Sequence, residues 1–268
     1  MNNDEITTLP PKLAELIVAA GEAILKVYDS PFSVEYKEDN SPLTLADKLS
    51  HEIISTGLRK LSTYPVISEE MAEVSYEKRK IWNTFWLVDP LDGTKEFVKR
   101  NGEFTVNIAL IENGKPTLGF IYIPVQGILY YAVQGKGAFK VARVESNKGE
   151  HIIKAGKKLP LKENEHTEFT ILGSRSHQSE LTDAFITEQK AKHSSVRIIT
   201  SGSSIKFCLV AEGIADAYPR FSPTMEWDSA AGQAIIEEAG KRVVLADGIT
   251  PLTYNKQSLV NPHFLAIS

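Results

Sequence analysis

The chain has little cysteine: Cys208 stands alone, so no internal disulfide framework can hold the molecule together. This fits a reducing compartment, and a lone cysteine is expected to be a small core side chain. Positive charge is not in excess either. A formal net charge of -4 leaves no electrostatic footprint for nucleic acid, although a local basic pocket for an anionic ligand is still allowed. No stretch approaches the apolar length that spans a bilayer, and Met1-Asn2-Asn3-Asp4-Glu5 is polar and acidic with no signal core. Internal repeats and low-complexity tracts are missing, which excludes a repeat architecture. What is left is a 268-residue chain with ordinary apolar and charged fractions, long enough for one large domain or two medium ones. The expected location is cytoplasmic. A peripheral position at the inner face of the membrane stays open, but no basic amphipathic segment argues for it.

Apolar residues at helical spacing predict a helix over Leu9 to Tyr28, and Thr44-Leu45-Ala46-Asp47 leads into another through Leu61, with Ile53, Ile54, Leu58 and Leu61 as its buried face. Between them Val34 to Lys37 alternates like a strand before a turn at Glu38 to Pro42. From Phe104 to Val141, β-rich runs are broken at Glu112-Asn113-Gly114-Lys115, Gln126-Gly127 and Gln134-Gly135-Lys136-Gly137, the pattern of an antiparallel meander. Arg143 to Glu168, with Lys157, Lys158, Lys162, Glu163 and Glu165, reads as a solvated connection holding at most a short strand at Ile152-Ile153. Strands and helices then alternate from Phe169 to Leu245, which predicts an α/β lobe. The fold expected is α/β (α+β): two sheets interleaved with helix layers, divided into lobes 1-145 and 146-268, with a cleft between them.

The chain is organised around Phe85-Trp86-Leu87-Val88-Asp89-Pro90-Leu91-Asp92-Gly93-Thr94, an apolar run that stops at two acids. Four apolar residues without alternation predict a strand covered on both faces, and ligands gather beyond the carboxyl ends of such strands. Pro90 and Gly93 shape the backbone so that Asp89 and Asp92 can converge. Hard oxygens without histidine or cysteine favour Mg²⁺, with the Leu91 carbonyl as a further donor and a helix start at Thr94 as a seat for a phosphate oxygen. The plainer alternative is a surface turn with Thr94 as a cap. Pro65 to Glu70 repeats the pattern, a short apolar strand ending on Glu69 and Glu70. Asp228, at the start of a small-residue helix, could close a carboxylate site from the other lobe or simply cap that helix, and Asp47 reads by itself as a capping residue.

Together, Asp89-Pro-Leu-Asp-Gly-Thr94, Glu69-Glu70 and Trp227-Asp228-Ser-Ala-Ala resemble the inositol monophosphatase superfamily of magnesium-dependent, lithium-sensitive phosphatases, from the first helix to the C-terminus. Gly173-Ser-Arg-Ser-His177, Gly202-Ser-Ser-Ile-Lys-Phe207 and Tyr218-Pro-Arg-Phe-Ser-Pro-Thr-Met-Glu-Trp-Asp228 are similar to the CysQ-type 3'(2'),5'-bisphosphate nucleotidases within it. The resemblance implies a two-lobed layered αβαβα sandwich of the inositol monophosphatase/fructose-1,6-bisphosphatase type, and two or three Mg²⁺ ions. It implies that Glu69, Asp89 and the Leu91 carbonyl hold one ion, and Asp89, Asp92 and Asp228 a second. Asp47 and Thr94 would activate the attacking water, with Glu70 beside them, and the Gly93 and Thr94 amides would hold the scissile phosphate. Ser203, Lys206, Arg220, His177 and Asp228 would contact the nucleotide. Ser222 and Ser229 depart from the glycine and threonine expected there, and neither is a proposed ligand.

The implied reaction is hydrolysis of adenosine 3',5'-bisphosphate to AMP, clearing a by-product of sulfur metabolism. The alternatives are an inositol monophosphatase, which has no need of the basic pair Lys206 and Arg220, and a catalytically silent nucleotide sensor. A phosphatase with an aspartate nucleophile in an Asp-x-Asp arrangement is disfavoured, because these aspartates are three apart. A monomer and a homodimer fit the sequence equally.

Overall fold

The computed structural model describes residues 3–36, 42–161, 168–174 and 179–268. The turn expected from Glu38, the charged residues Lys162, Glu163 and Glu165, and the motif residues Arg175, Ser176 and His177 lie outside the described residues.

Helix α1 (Asn3–Tyr28) starts ahead of its expected first residue, Leu9, and buries Leu13, Ile17, Ala20 and Ile24 completely. Strands β1 (Val34–Tyr36) and β2 (Pro42–Thr44) form a small antiparallel pair, and α2 (Leu45–Leu61) follows. Then come β3 (Val66–Ser68), α3 (Tyr76–Arg79), β4 (Thr84–Asp92), α4 (Thr94–Val98), β5 (Thr105–Glu112), β6 (Lys115–Ile123), β7 (Ile128–Val133) and β8 (Gly137–Val141). The meander is as expected: Asn113 and Gly114 both take positive φ, 51° and 76°, as a tight hairpin of primed type requires. Ile152 and Ile153 lie in a helix, α5 (Gly149–Lys154), where a short strand was expected. A β-branched pair favours a strand locally, but packing overrides it. Gly149 meets the Pro11 backbone and donates to Glu15 on α1, and Ile152 drops into the core that α1 lines.

Strand β9 (Lys157–Lys158) pairs with β8, so the first sheet continues to Lys158, past the lobe boundary expected at 145. Among the described residues its order is β3-β4-β5-β6-β7-β8-β9, antiparallel except for β3 beside β4. The second sheet is built from β10 (Phe169–Ser174), α6 (Glu180–Lys192), β11 (Val196–Ser201), α7 (Ile205–Glu212), β12 (Ala217–Arg220), α8 (Glu226–Glu238), β13 (Arg242–Leu245) and β14 (Phe264–Ile267). Its order is β11-β10-β12-β14-β13. Strand β14 was not foreseen, although it sits between β12 and β13, because only pairing with two sequence-distant strands makes it one. The chain crosses from β10 to β11 in one direction and from β11 back to β12 in the other, so right-handed connections place α6 and α7 on opposite faces. The result is the layered αβαβα sandwich, with α1 and α2 on the outer face of the first sheet and α7 and α8 between the sheets.

That arrangement explains the unbroken apolar run of β4, which is covered on both faces in a largely antiparallel sheet. Trp86 and Val88 enter the core lined by α1 and α2, whereas Phe85 and Leu87 enter the core shared by both sheets with α7 and α8. Each such buried side chain contributes roughly 1.5–3 kcal/mol. Among the described residues no helix is long and apolar enough to cross a membrane.

Helix α8 lies against the first sheet at Gly119, where a Cβ would stand 2.5 Å from the Ala231 carbonyl oxygen and 2.7 Å from the Ala234 Cβ. Gly119→Ala is therefore expected to lower stability by about 1–3 kcal/mol, measured by urea unfolding, because a helix backbone must be displaced. Unchanged stability would contradict this contact.

Candidate active site at the strand ends

Strand alternation would send Asp89 and Asp92, an odd and an even position, to opposite faces of the sheet. The structure avoids this with a bulge. Asp89 stands opposite Asn107 and Asp92 opposite Thr105, so three steps along β4 match two along β5. The extra residue returns both carboxylates to one face, and a bulge is also where a strand tolerates Pro90. The Pro90 carbonyl accepts a 2.7 Å hydrogen bond from Ser50 on α2, and the Leu91 amide donates to Asp89 at 3.0 Å. Gly93 then takes φ 92°, and a Cβ there would come within 3.2 Å of both the Glu103 carbonyl oxygen and Ser203. The second lobe closes on the first at this point.

On the face reached by Asp89, oxygens of Glu69, Asp89 and Asp228 lie within 4.8 Å of one another. Asp228 arrives from the first turn of α8, where it also accepts the Met225 amide at 2.9 Å, so the capping role and the convergence hold together. Asp92 stands beside this trio but is engaged: its Oδ2 accepts the Ser204 amide at 2.6 Å, and Thr105 and Asn107 approach the same oxygen at 3.4 Å. Ser204 in turn donates to Asn107 at 2.7 Å. Thr105 and Asn107 carried no signal in the sequence, since ordinary strand residues reveal a polar partner only after the strands pair. Burial pushes Asp89 and Asp228 well above the usual carboxylate range, reinforced at Asp89 by Glu69, Asp92 and Asp228 and at Asp228 by Asp92 and Glu69. Burial also raises Asp92, against the pull of Lys206. Carboxylates crowded at such cost fit a hard divalent cation, and the carboxylate donors present, with Leu91 lining the same cavity, are of the right kind.

Asp47 and Thr94 meet at the edge of this cluster. The Thr94 hydroxyl lies 3.2 Å from Asp47 Oδ1 and 3.3 Å from the Leu91 carbonyl oxygen. Asp47 Oδ2 also accepts the Thr44 amide and hydroxyl, each at 2.7 Å, which makes Asp47 part of the α2 cap as well. Burial raises its pKa to about 6, with the Thr44 hydrogen bonds opposing and the nearby Glu70 charge adding to the rise.

The cavity has a volume of about 230 Å³ and runs from Glu69, Asp89 and Asp228 past Gly93 and Thr94 to Ser203, Lys206, Tyr218 and Arg220. Its far wall is basic. Lys206 is 3% exposed, and its ammonium donates to the Ser201 and Ser203 carbonyls at 3.0 and 2.7 Å, so it fixes the loop as well as charging the wall. Burial lowers its pKa to about 8 while Asp92 opposes the shift. Ser203 holds a left-handed backbone, φ 43°, uncommon for a residue with a side chain. Among the described residues the buried side-chain polar atoms with no partner are Arg79 Nε, Ser203 Oγ and Arg220 Nε, and the last two belong to this cavity. Groups left this way suit an anionic ligand. Tyr218, the first residue of one of the nucleotidase-like motifs, and Phe264, which sequence reasoning did not single out, also line the cavity.

This fold and site define the class: residues 7–266 match the Inositol monophosphatase family, and the chain belongs to that family of phosphatases. A relative from Salmonella typhimurium, the 3'(2'),5'-bisphosphate nucleotidase CysQ, is 47% identical over 257 residues, spanning 94% of this chain and 97% of that protein. The crystal structure of CysQ from Bacteroides thetaiotaomicron superposes with a TM-score of 0.87 at 47% identity and covers 96% of each chain. An IMPase/NADP phosphatase solved with Mg²⁺ and phosphate shares the fold at a TM-score of 0.76 and 19% identity, over 98% of this chain and 91% of that one.

Asp47, Asp89, Asp92 and Asp228 each bind a proton more tightly in the folded than in the unfolded chain. That stability is present at low pH and lost as pH rises through the folded pKa values; for Asp47 the window runs from 3.8 to about 6. His51, lowered by burial, works in the opposite sense as a single group. The metal-free protein should melt at a higher temperature at about pH 5.5 than at about pH 7.5, and added Mg²⁺ should raise the melting temperature more at the higher pH. Scanning calorimetry with and without chelator checks both, and a metal-free melting point that rises with pH would contradict the crowding.

Proposed function

We propose that this enzyme removes the 3'-phosphate of adenosine 3',5'-bisphosphate, giving AMP and phosphate, with Mg²⁺ as cofactor. The observation that carries the reading is the polarity of one cavity: three carboxylates within 4.8 Å at one end, and Lys206 with Arg220 at the other. A monophosphate needs only the acidic end. A second phosphate that is not transferred needs the basic one. The nucleotidase identity of the relatives that cover nearly all of this chain supports the same substrate class.

Glu69, Asp89, Asp92, Asp228 and the Leu91 carbonyl would hold magnesium. When bound, the metal supplies Lewis acidity that offsets charge on the phosphoryl group and on the departing oxygen. The remaining work falls to the chain itself. The Gly93 and Thr94 amides orient the scissile phosphate. The Thr94 hydroxyl is held by Asp47, and this pair takes the proton from the attacking water as its oxygen bonds to phosphorus; the bond to the ribose oxygen breaks, and that oxygen takes a proton from solvent to leave as the 3'-hydroxyl of AMP. A carboxylate whose pKa is raised to about 6 suits that role, being still ionised at neutral pH yet basic enough to accept a proton. Glu70 adds negative charge beside Asp47. Ser203 and Arg220 offer their unpartnered polar atoms to the nucleotide, and Lys206 holds the loop that presents Ser203.

Asp89→Asn is expected to fold and to lose turnover by roughly 10²- to 10³-fold, the scale of removing one charge-stabilising group from a transition state. Arg220→Leu should raise KM for the nucleotide by about 10-fold or more while sparing hydrolysis of inositol 1-phosphate, as loss of a charge-assisted hydrogen bond implies. Phosphate release from adenosine 3',5'-bisphosphate and inositol 1-phosphate, assayed in parallel with Mg²⁺, checks all of this. Preference of the wild-type enzyme for the inositol phosphate would overturn the substrate assignment.

A further inference from the structure

Asp228 is held near Glu69 and Asp89 by a helix from the other lobe, and something must keep that helix end in place against the repulsion. The segment after β13 does so. The amides of Asn255 and Lys256 both donate to the Glu226 carboxylate, at 2.7 and 3.0 Å, and the Lys256 ammonium reaches the same carboxylate at 2.7 Å. Asn255 has φ 66°, the left-handed conformation that turns two successive amides toward one anion. Glu226 is fully buried at the first position of α8, two residues before Asp228.

The same segment is gripped by the first lobe through the Asn255 side chain and the carbonyls that follow it. Arg79, at the end of α3 and 1% exposed, donates to the Asn255 side-chain oxygen at 2.9 Å, to the Lys256 carbonyl at 2.6 Å and to the Gln257 carbonyl at 2.8 Å. Asn255 returns its side-chain amide to the Arg79 carbonyl at 2.7 Å. A planar fork that meets three acceptors in three consecutive residues fixes both the position and the orientation of the segment. α3 also lies in the connection between β3 and β4, the strands that deliver Glu69 and Asp89.

We propose that Arg79 and Asn255 are positioning residues for Asp228: they join the first lobe, through the buried Glu226, to the first turn of α8, and so set the separation between carboxylates supplied by different lobes. The proposal rests on the magnesium reading above. Outer groups that orient ligands act on metal affinity, whereas a purely structural contact acts on melting temperature alone.

The test uses the full-length protein stripped of metal by chelation. Mg²⁺ binding is followed by titration calorimetry and the metal-free melting temperature is recorded separately. Arg79→Lys keeps the charge without the fork, and Asn255→Gly keeps the left-handed backbone without the side chain. Both should fold, with Mg²⁺ affinity reduced by about 10-fold or more. Ile24→Ala, in the core on the far side of the first sheet, should lower the melting temperature and leave the affinity alone. Wild-type affinity in the folded Arg79 and Asn255 variants, or an equal loss in Ile24→Ala, would overturn the positioning role. Absence of Mg²⁺ binding by the wild-type protein would instead overturn the magnesium reading, and this proposal with it.

Discussion

The mutual repulsion of Glu69, Asp89 and Asp228, with oxygens within 4.8 Å, is the constraint on which the surrounding structure depends. Left to themselves these groups would separate or take up protons. Each is therefore delivered by an element with no freedom to retreat. Glu69 follows a buried strand paired to β4, Asp89 sits at a bulge pinned by Ser50, and Asp228 belongs to the first turn of a helix wedged between two sheets. Repulsion is thus held by packing elsewhere, through the buried apolar side chains behind the site.

The two lobes share one apolar core. Phe85 and Leu87 of β4 share one core with residues of α7, α8 and the second sheet, while Trp86 and Val88 serve the core on the other side. One strand thereby couples the outer helices to the inner ones and ends at the site. Gly119 adds a close approach of α8 to the same sheet, and Gly93 a close approach of the Ser203 loop. These contacts bound the cleft.

Charge is graded along the cavity. The acidic end suits cations and the basic end, with Lys206 and Arg220, suits an anionic group that stays bound; the Lys206 ammonium is held by two carbonyls and drawn on by Asp92. The strained Ser203 sits where these requirements meet, a departure from the relaxed backbone of the kind that concentrates at functional sites.

Much of this could be read from the chain alone. The apolar run before Asp89, the parallel pattern before Glu69, the turn glycines of the meander and the family motifs around Asp228 are local in sequence, and short-range spacing is enough to express them. Asp47 looked like a capping residue and is one, yet its second oxygen faces Thr94, which no local pattern could reveal. The bulge that unites Asp89 with Asp92, the helix at Ile152, strand β14 and the grip of Arg79 on Asn255 were all decided by the tertiary structure. Their partners are supplied by distant parts of the chain: Thr105 and Asn107 set the bulge register, Pro11 and Glu15 turn α5, and β12 and β13 make β14 a strand. Sequence determined which groups could do the chemistry, because that depends on residue type and near spacing. Only the fold decided which of them meet, because meeting depends on register and packing between segments that are far apart along the chain.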